Sequence, residues 1–125
     1  MSAAMPARIR IKRAYEPPAA ADGTRVLVDR LWPRGLTKAS AAISLWRKDV
    51  APTAALRRWF GHDPARWDEF RRRYETELRA KTESLAELKQ LAKSAPLTLI
   101  YAARDPAHNH ALVLRDVILR RRRPG

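Results

Sequence analysis

The segment "LTLIYAARDPAHNH", residues 97–110, changes character halfway. "LTLIYA", 97–102, is a continuous apolar run with β-branched members, the mark of a strand buried on both faces. Asp105-Pro106 ends it, and Ala111, Leu112, Leu114, Val117 and Ile118 then recur at helical spacing. "RVLVD", 25–29, is a second buried strand by the same criterion, and helical patterns fill the interval between the two. Strands joined through helices run parallel.

Those helices carry their own punctuation. "TAALRRWF", 53–60, has Thr53 as N-cap, and "GHD" breaks it. Asp63 caps the next helix, with Pro64 at its first position, where the missing N–H costs nothing. Trp67, Phe70, Tyr74 and Leu78 form one stripe at spacings of three and four, a core face rather than a base-stacking platform. Leu85, Leu88 and Leu91 mark a further helix, which Thr82 or Ser84 starts. A short helix after "PRG" is capped by Thr37 or Ser40. "RIRIKR", 8–13, alternates like a half-buried strand. About 11 residues without a helix separate it from the next strand, the lower limit for a parallel crossover. Its direction is therefore open. The expected class is α/β, a small three-layer sandwich with a short, mostly parallel sheet. Strands lie near 8–13, 25–29 and 97–102, and helices near 53–60, 64–80, 83–93 and 107–121.

With 125 residues, 46% of them hydrophobic, the chain suits one domain with its own core. A flexible N-terminus (1–6) and a basic tail (120–125) are expected at its ends. The absence of cysteine excludes disulfides and thiolate metal sites and fits a reducing cytoplasm. No apolar run reaches signal-peptide or membrane-helix length, so no membrane partner is expected. Lys and Arg total 26 against 13 acids, a net charge of +13. Such an excess attracts polyanions, yet the "RRR" run at 71–73 has acids on both sides and reads equally as a solvated helix face.

Ligands of open parallel sheets bind beyond the carboxyl ends of the strands. "DRLWPRG" and "ARDPAHNH" both follow strands, and both are rich in charge. If the strands are parallel neighbours, Asp29, Arg30, Arg34, Arg104, Asp105, His108 and Asn109 share one cleft. Arg30, Arg34 and Arg104 would grip an anion, with Trp32, Gly35 and Asn109 completing the ligand-binding set. Asp29 or Asp105 would orient a hydroxyl or act as base, and His62 or His108 would move a proton. His108, Asn109 and His110 are expected in the first helical turn, where free N–H groups favour an anion. The bland alternative is an Arg104–Asp29 ion pair bracing the two loops, with Asp105 and Asp49 as caps and His62 packed at a helix junction.

No Walker, dinucleotide or nucleophile-elbow pattern occurs, and His108 and His110 stand too close for one helix face. No metal and no cofactor are expected. Three functions fit: a site for a small phosphorylated or nucleotide-like anion, a nucleic-acid binder using the basic surface, and a scaffold without catalysis. Oligomeric state is not legible.

"AYEPP" (14–18), "RVLVDRLWPRG" (25–35), "WFGHDPARWDEF" (59–70) and "LTLIYAARDPAHNHALVL" (97–114) together resemble the YeaO-like branch of a bacterial domain-of-unknown-function family. The resemblance runs from about residue 8 to 119. It implies a compact α/β fold, with signature positions at Tyr15, Asp29, Arg30, Trp32, Pro33, Arg34, Gly35, Trp46, Asp49, Phe60, His62, Arg104, Asp105, Asn109 and Ala111.

Overall fold

A computed structural model describes residues 9–120. The N-terminus (1–6) and the tail beyond Arg120, both expected to be flexible or basic extensions, lie outside the described residues.

Four strands form one parallel sheet: β1 (Ile9–Arg13), β2 (Thr24–Leu27), β3 (Leu45–Trp46) and β4 (Leu97–Tyr101). Their spatial order is β1-β4-β2-β3, so the last strand in the chain inserts between the first two. Ile9 to Arg13 pair in register with Leu97 to Tyr101, and Thr24 to Leu27 with Leu97 to Ile100. All five residues of β4 are buried, which is why its sequence lacks the alternation of a half-exposed strand. β3 escaped the sequence reading because two residues cannot display a period.

Five helices follow the expected order: α1 (Lys38–Ala41), α2 (Ala54–Phe60), α3 (Trp67–Arg79), α4 (Thr82–Ser94) and α5 (His110–Leu119). Thr37 and Thr53 cap α1 and α2 by accepting backbone N–H bonds from Ser40 and Leu56. Asp63 caps a 3-10 turn, Pro64–Arg66, which leads into α3. The last helix departs from expectation. It begins at His110 rather than near 107, because Asp105 holds residues 105–108 in a side-chain-capped turn and Asn109 becomes the N-cap. It also closes at Leu119 instead of 121.

Ile9, Val26, Val28, Leu97, Leu99 and Tyr101 form one core with Leu56, Phe60, Phe70, Tyr74, Leu88 and the inner residues of α5. Leu27, Ile100 and Ala14 point to a second, smaller cluster with Trp32, Leu36, Ile43 and Trp46. The third layer is therefore mostly the loop segment 31–46 with one-turn α1. Two indoles give that layer its bulk: Trp32 and Trp46 meet edge to face at 5.5 Å, and their N–H groups donate to Leu36 and Asp29 carbonyls.

The direction of β1 is settled as parallel. Residues 14–23 return the chain along this second face, and the return is fastened by a buried ion cluster. Asp22 accepts from Arg25 at 2.6 Å and lies 3.1 Å from Lys12 Nζ; the side chains of Asp22 and Arg25 are each only 4% exposed. Thr98 of β4 donates to the Asp22 carbonyl, and Arg25 also donates to the Ala41 carbonyl. Gly23 closes the return at φ +64°, where an added Cβ would stand 2.2 Å from the Pro96 carbonyl oxygen. Only glycine fits there.

Candidate functional site

Because every strand is parallel, the chain leaves β1, β2 and β4 on the same edge of the sheet. Side chains then lace these exits together. Asp29 Oδ2 accepts from the Ala102 N–H at 3.0 Å, joining the exit of β2 to that of β4. Arg13 Nε donates to the Ala103 carbonyl at 2.9 Å. The Tyr15 hydroxyl donates to the Arg34 carbonyl at 2.9 Å, joining the exit of β1 to the loop after β2. The loops are thus held at fixed spacing without using the guanidinium groups of Arg34 and Arg104. The alternative Arg104–Asp29 brace is not formed: the ionisable side chain 3.1 Å from Asp29 Oδ1 is His110, through Nε2.

Two carboxylate–imidazole contacts stand at this edge. His110 Nε2 is 3.0 Å from the Val28 carbonyl. A carbonyl only accepts, so Nε2 carries the proton and Nδ1 is left with its lone pair in the neutral ring. Tyr74 closes the far side, edge-on to His110 at 6.1 Å, with its hydroxyl donating to Val50. Burial, then the Glu77 and Asp29 charges, hold the Tyr74 phenol well above its ordinary pKa, so it stays neutral. Asp105 accepts from the Ala107 and His108 N–H groups through Oδ1, and its Oδ2 is 2.8 Å from His108 Nδ1. The Ala107 N–H, followed by the His108 ring, holds the Asp105 carboxyl below the usual range. Asp105 is therefore a carboxylate already committed to its own turn.

A cleft of ≈ 650 Å³ opens above the strand exits. Asp29, Arg30, Trp32, Arg34, His62, Arg104 and Asp105 of the sequence-derived site line it. His62, His108 and Asn109 line an adjoining hollow of ≈ 270 Å³. Asn109 is buried, with Oδ1 accepting from Leu112 and Nδ2 donating to Asp105, so it acts through the backbone turn. Gly35 lines neither; its φ of +85° shapes the turn closed by Leu36 N–H on the Pro33 carbonyl. Asp49 lies apart and meets Ser84 at the start of α4.

Among the described residues His62 is one of two non-glycine residues with positive φ, at 57°, directly after Gly61 at 54°. Among the described residues its ring has no hydrogen-bond partner, and it lines both hollows. Arg57 and His110 also line both; Arg57 is not among the residues the sequence singles out, and His110 is singled out only for its place in the expected first helical turn. Arg57 stands one turn before Phe60, but nothing local says that α2 borders the cleft. The Asp105 turn moves the helix start to His110, which brings its ring rather than its backbone N–H to the cleft. Among the described residues Arg34, Arg57 and Arg104 form no ion pair, and Arg30 donates only to the Pro52 carbonyl. No cluster of three or more ligand-type side chains suited to a metal ion occurs among the described residues, nor does any helix there have the length and apolarity to cross a membrane.

Sheet order and element content define a small parallel α/β fold, whose strand exits open into a cleft lined by Arg30, Arg34, Arg57 and Arg104 beside Asp29 and Asp105. The chain belongs to the DUF488-N3i family, described as the inactive DUF488-N3 subclade, which it matches over residues 8–123. It is 44% identical over 111 residues to "Uncharacterized protein Rv3073c" of Mycobacterium tuberculosis, covering 89% of this chain and 93% of that protein. It is 43% identical over 108 residues to "Uncharacterized protein YeaO" of Escherichia coli, covering 86% and 94%. The expected YeaO-like membership is thereby established. No solved structure matches the chain.

Proposed function

We propose that the chain binds a small phosphorylated anion in the cleft above the sheet and holds it without turning it over. The observation that carries this reading is the guanidinium set: Arg30, Arg34, Arg57 and Arg104 line one hollow. Of the two carboxylates there, Asp105 is engaged by the 105–108 turn, and Asp29 accepts the Ala102 N–H through Oδ2 while its buried Oδ1 has no hydrogen-bond partner among the described residues. An arginine fork matches a phosphate or carboxylate in bidentate fashion, and such charge-assisted bonds are the stronger kind. The family description, with its word "inactive", supports binding over catalysis. So does the commitment of Asp105, whose Oδ1 and Oδ2 are both taken up by its own turn.

The surface-wide reading, a nucleic-acid footprint, gains less support. The 71–73 arginines pair internally, Arg71 with Glu75 and Asp116 and Arg72 and Arg73 with Glu69. Arg120 pairs with Glu75.

The test is calorimetric titration with inorganic phosphate and ribose 5-phosphate. Arg34→Ala and Arg104→Ala should each weaken binding by about tenfold or more, the worth of one charge-assisted contact. Absence of heat and of thermal stabilisation at millimolar ligand and low salt would overturn the reading.

A further inference from the structure

The cleft has a second compartment whose chemistry differs from its rim. The hollow of ≈ 270 Å³ shares Pro52, Arg57, His62, Ala103 and His110 with the larger cleft, so the two communicate. Its other lining residues include Phe60, Phe70, His108, Ala54 and Arg58. We propose that this hollow takes a planar heteroaromatic ring bearing N–H donors, so that the occupant of the whole site is a nucleoside phosphate. The phosphate end rests on the reading of the rim given above; the ring end stands on separate observations.

The walls are aromatic. Phe60 and Phe70, both in its lining, stack with centroids 4.4 Å apart and 23° between planes. Such rings favour contact with a flat π-system. The imidazoles then set the polarity. His108 Nδ1 faces the Asp105 carboxylate and so carries a proton, which in the neutral ring leaves Nε2 with a lone pair. His110 donates through Nε2 and leaves Nδ1 likewise. Among the described residues neither free nitrogen has a partner. An aliphatic occupant would leave both unsatisfied, whereas a ring N–H or exocyclic amine satisfies them. Arg57 and Arg58 add guanidinium planes that stack on such a ring. The volume lies below the range that holds drug-sized ligands, and so suits one mono- or bicyclic ring rather than a dinucleotide.

The test uses the full chain and two ligand series: the 5′-monophosphates of adenosine, guanosine, cytidine and uridine against ribose 5-phosphate, and the four free nucleosides. At least one monophosphate should bind about tenfold or more tightly than ribose 5-phosphate, the scale of one base stacked on aromatic side chains. Ala54 is exposed and lines only the smaller hollow, so Ala54→Trp blocks that hollow alone. It should abolish the increment while leaving ribose 5-phosphate affinity unchanged. Arg58→Ala, also confined to the hollow, should reduce the increment severalfold. If ribose 5-phosphate fails to bind while a nucleoside binds in an Ala54→Trp-sensitive way, the rim reading falls and the ring site stands. Monophosphates no tighter than ribose 5-phosphate, an increment that survives Ala54→Trp, or no binding by any nucleotide or nucleoside overturns the ring site.

Discussion

Asp22 shows how much one side chain can carry. Burial alone would raise its pKa, but the Ala19 N–H and the Lys12 and Arg25 side chains together outweigh burial and hold it below the ordinary value. The folded chain therefore favours the ionised form. That contribution is fully present above the unfolded aspartate pKa and is lost as pH falls through the lower folded value. Asp22→Asn leaves Arg25 buried without its counter-charge, and should cost about 3 kcal/mol or more at neutral pH. Urea denaturation checks this, and the gap between variant and wild type should narrow below pH about 4. His62 makes the opposite case. A left-handed non-glycine residue costs roughly 1–2 kcal/mol, while glycine adds roughly 0.5–1 kcal/mol of unfolded-chain entropy. His62→Gly should therefore stabilise the fold by up to about 1.5 kcal/mol by these two terms. The same change should weaken phosphate binding, because strained residues cluster where geometry serves a ligand. A variant with neither effect would make His62 a helix-junction residue only.

At the scale of elements, the decisive feature is the return from β1 to β2 through residues 14–23. It holds no more than a single 3-10 turn, Ala20–Asp22, and it closes because Gly23 passes against the Pro96 backbone. Gly23→Ala combines a left-handed φ with a clash against main chain, and should cost at least about 2 kcal/mol; thermal unfolding measures it. This is also where the sequence fell silent. Buried strands and helices announced themselves through composition and period, as β4 and the Phe70–Tyr74–Leu78 face of α3 did. The direction of β1 could not be read, because it depends on β4, far along the chain, inserting beside it. The start of α5 was misplaced because an aspartate side chain competed with the helix for the N–H groups of residues 107 and 108. At the site, residues on strand exits were legible from the rule that parallel sheets bind ligands there. Arg57 arrived from a helix whose placement is a tertiary fact.

For the whole molecule, the question is whether a net charge of +13 acts as a field or as a site. The two differ in salt dependence. A duplex gripped through 6–10 phosphates would lose about 10³–10⁵ in affinity between roughly 50 and 200 mM salt. A single phosphate inside a partly enclosed cleft is screened far less and should lose only severalfold. Fluorescence anisotropy with a labelled duplex and calorimetry with ribose 5-phosphate, run across that range, separate these behaviours. The most direct measurement is a proton–nitrogen correlation NMR titration of the labelled chain with ribose 5-phosphate. Bound phosphate should shift the amides of residues 29–32, Arg34, Arg57, His62, 102–105 and His110, which line the cleft, and those shifts should vanish in the Arg34→Ala, Arg104→Ala double variant. Shifts centred on the outer face of α3, or an unchanged spectrum at millimolar ligand, would contradict a phosphate site at the strand exits.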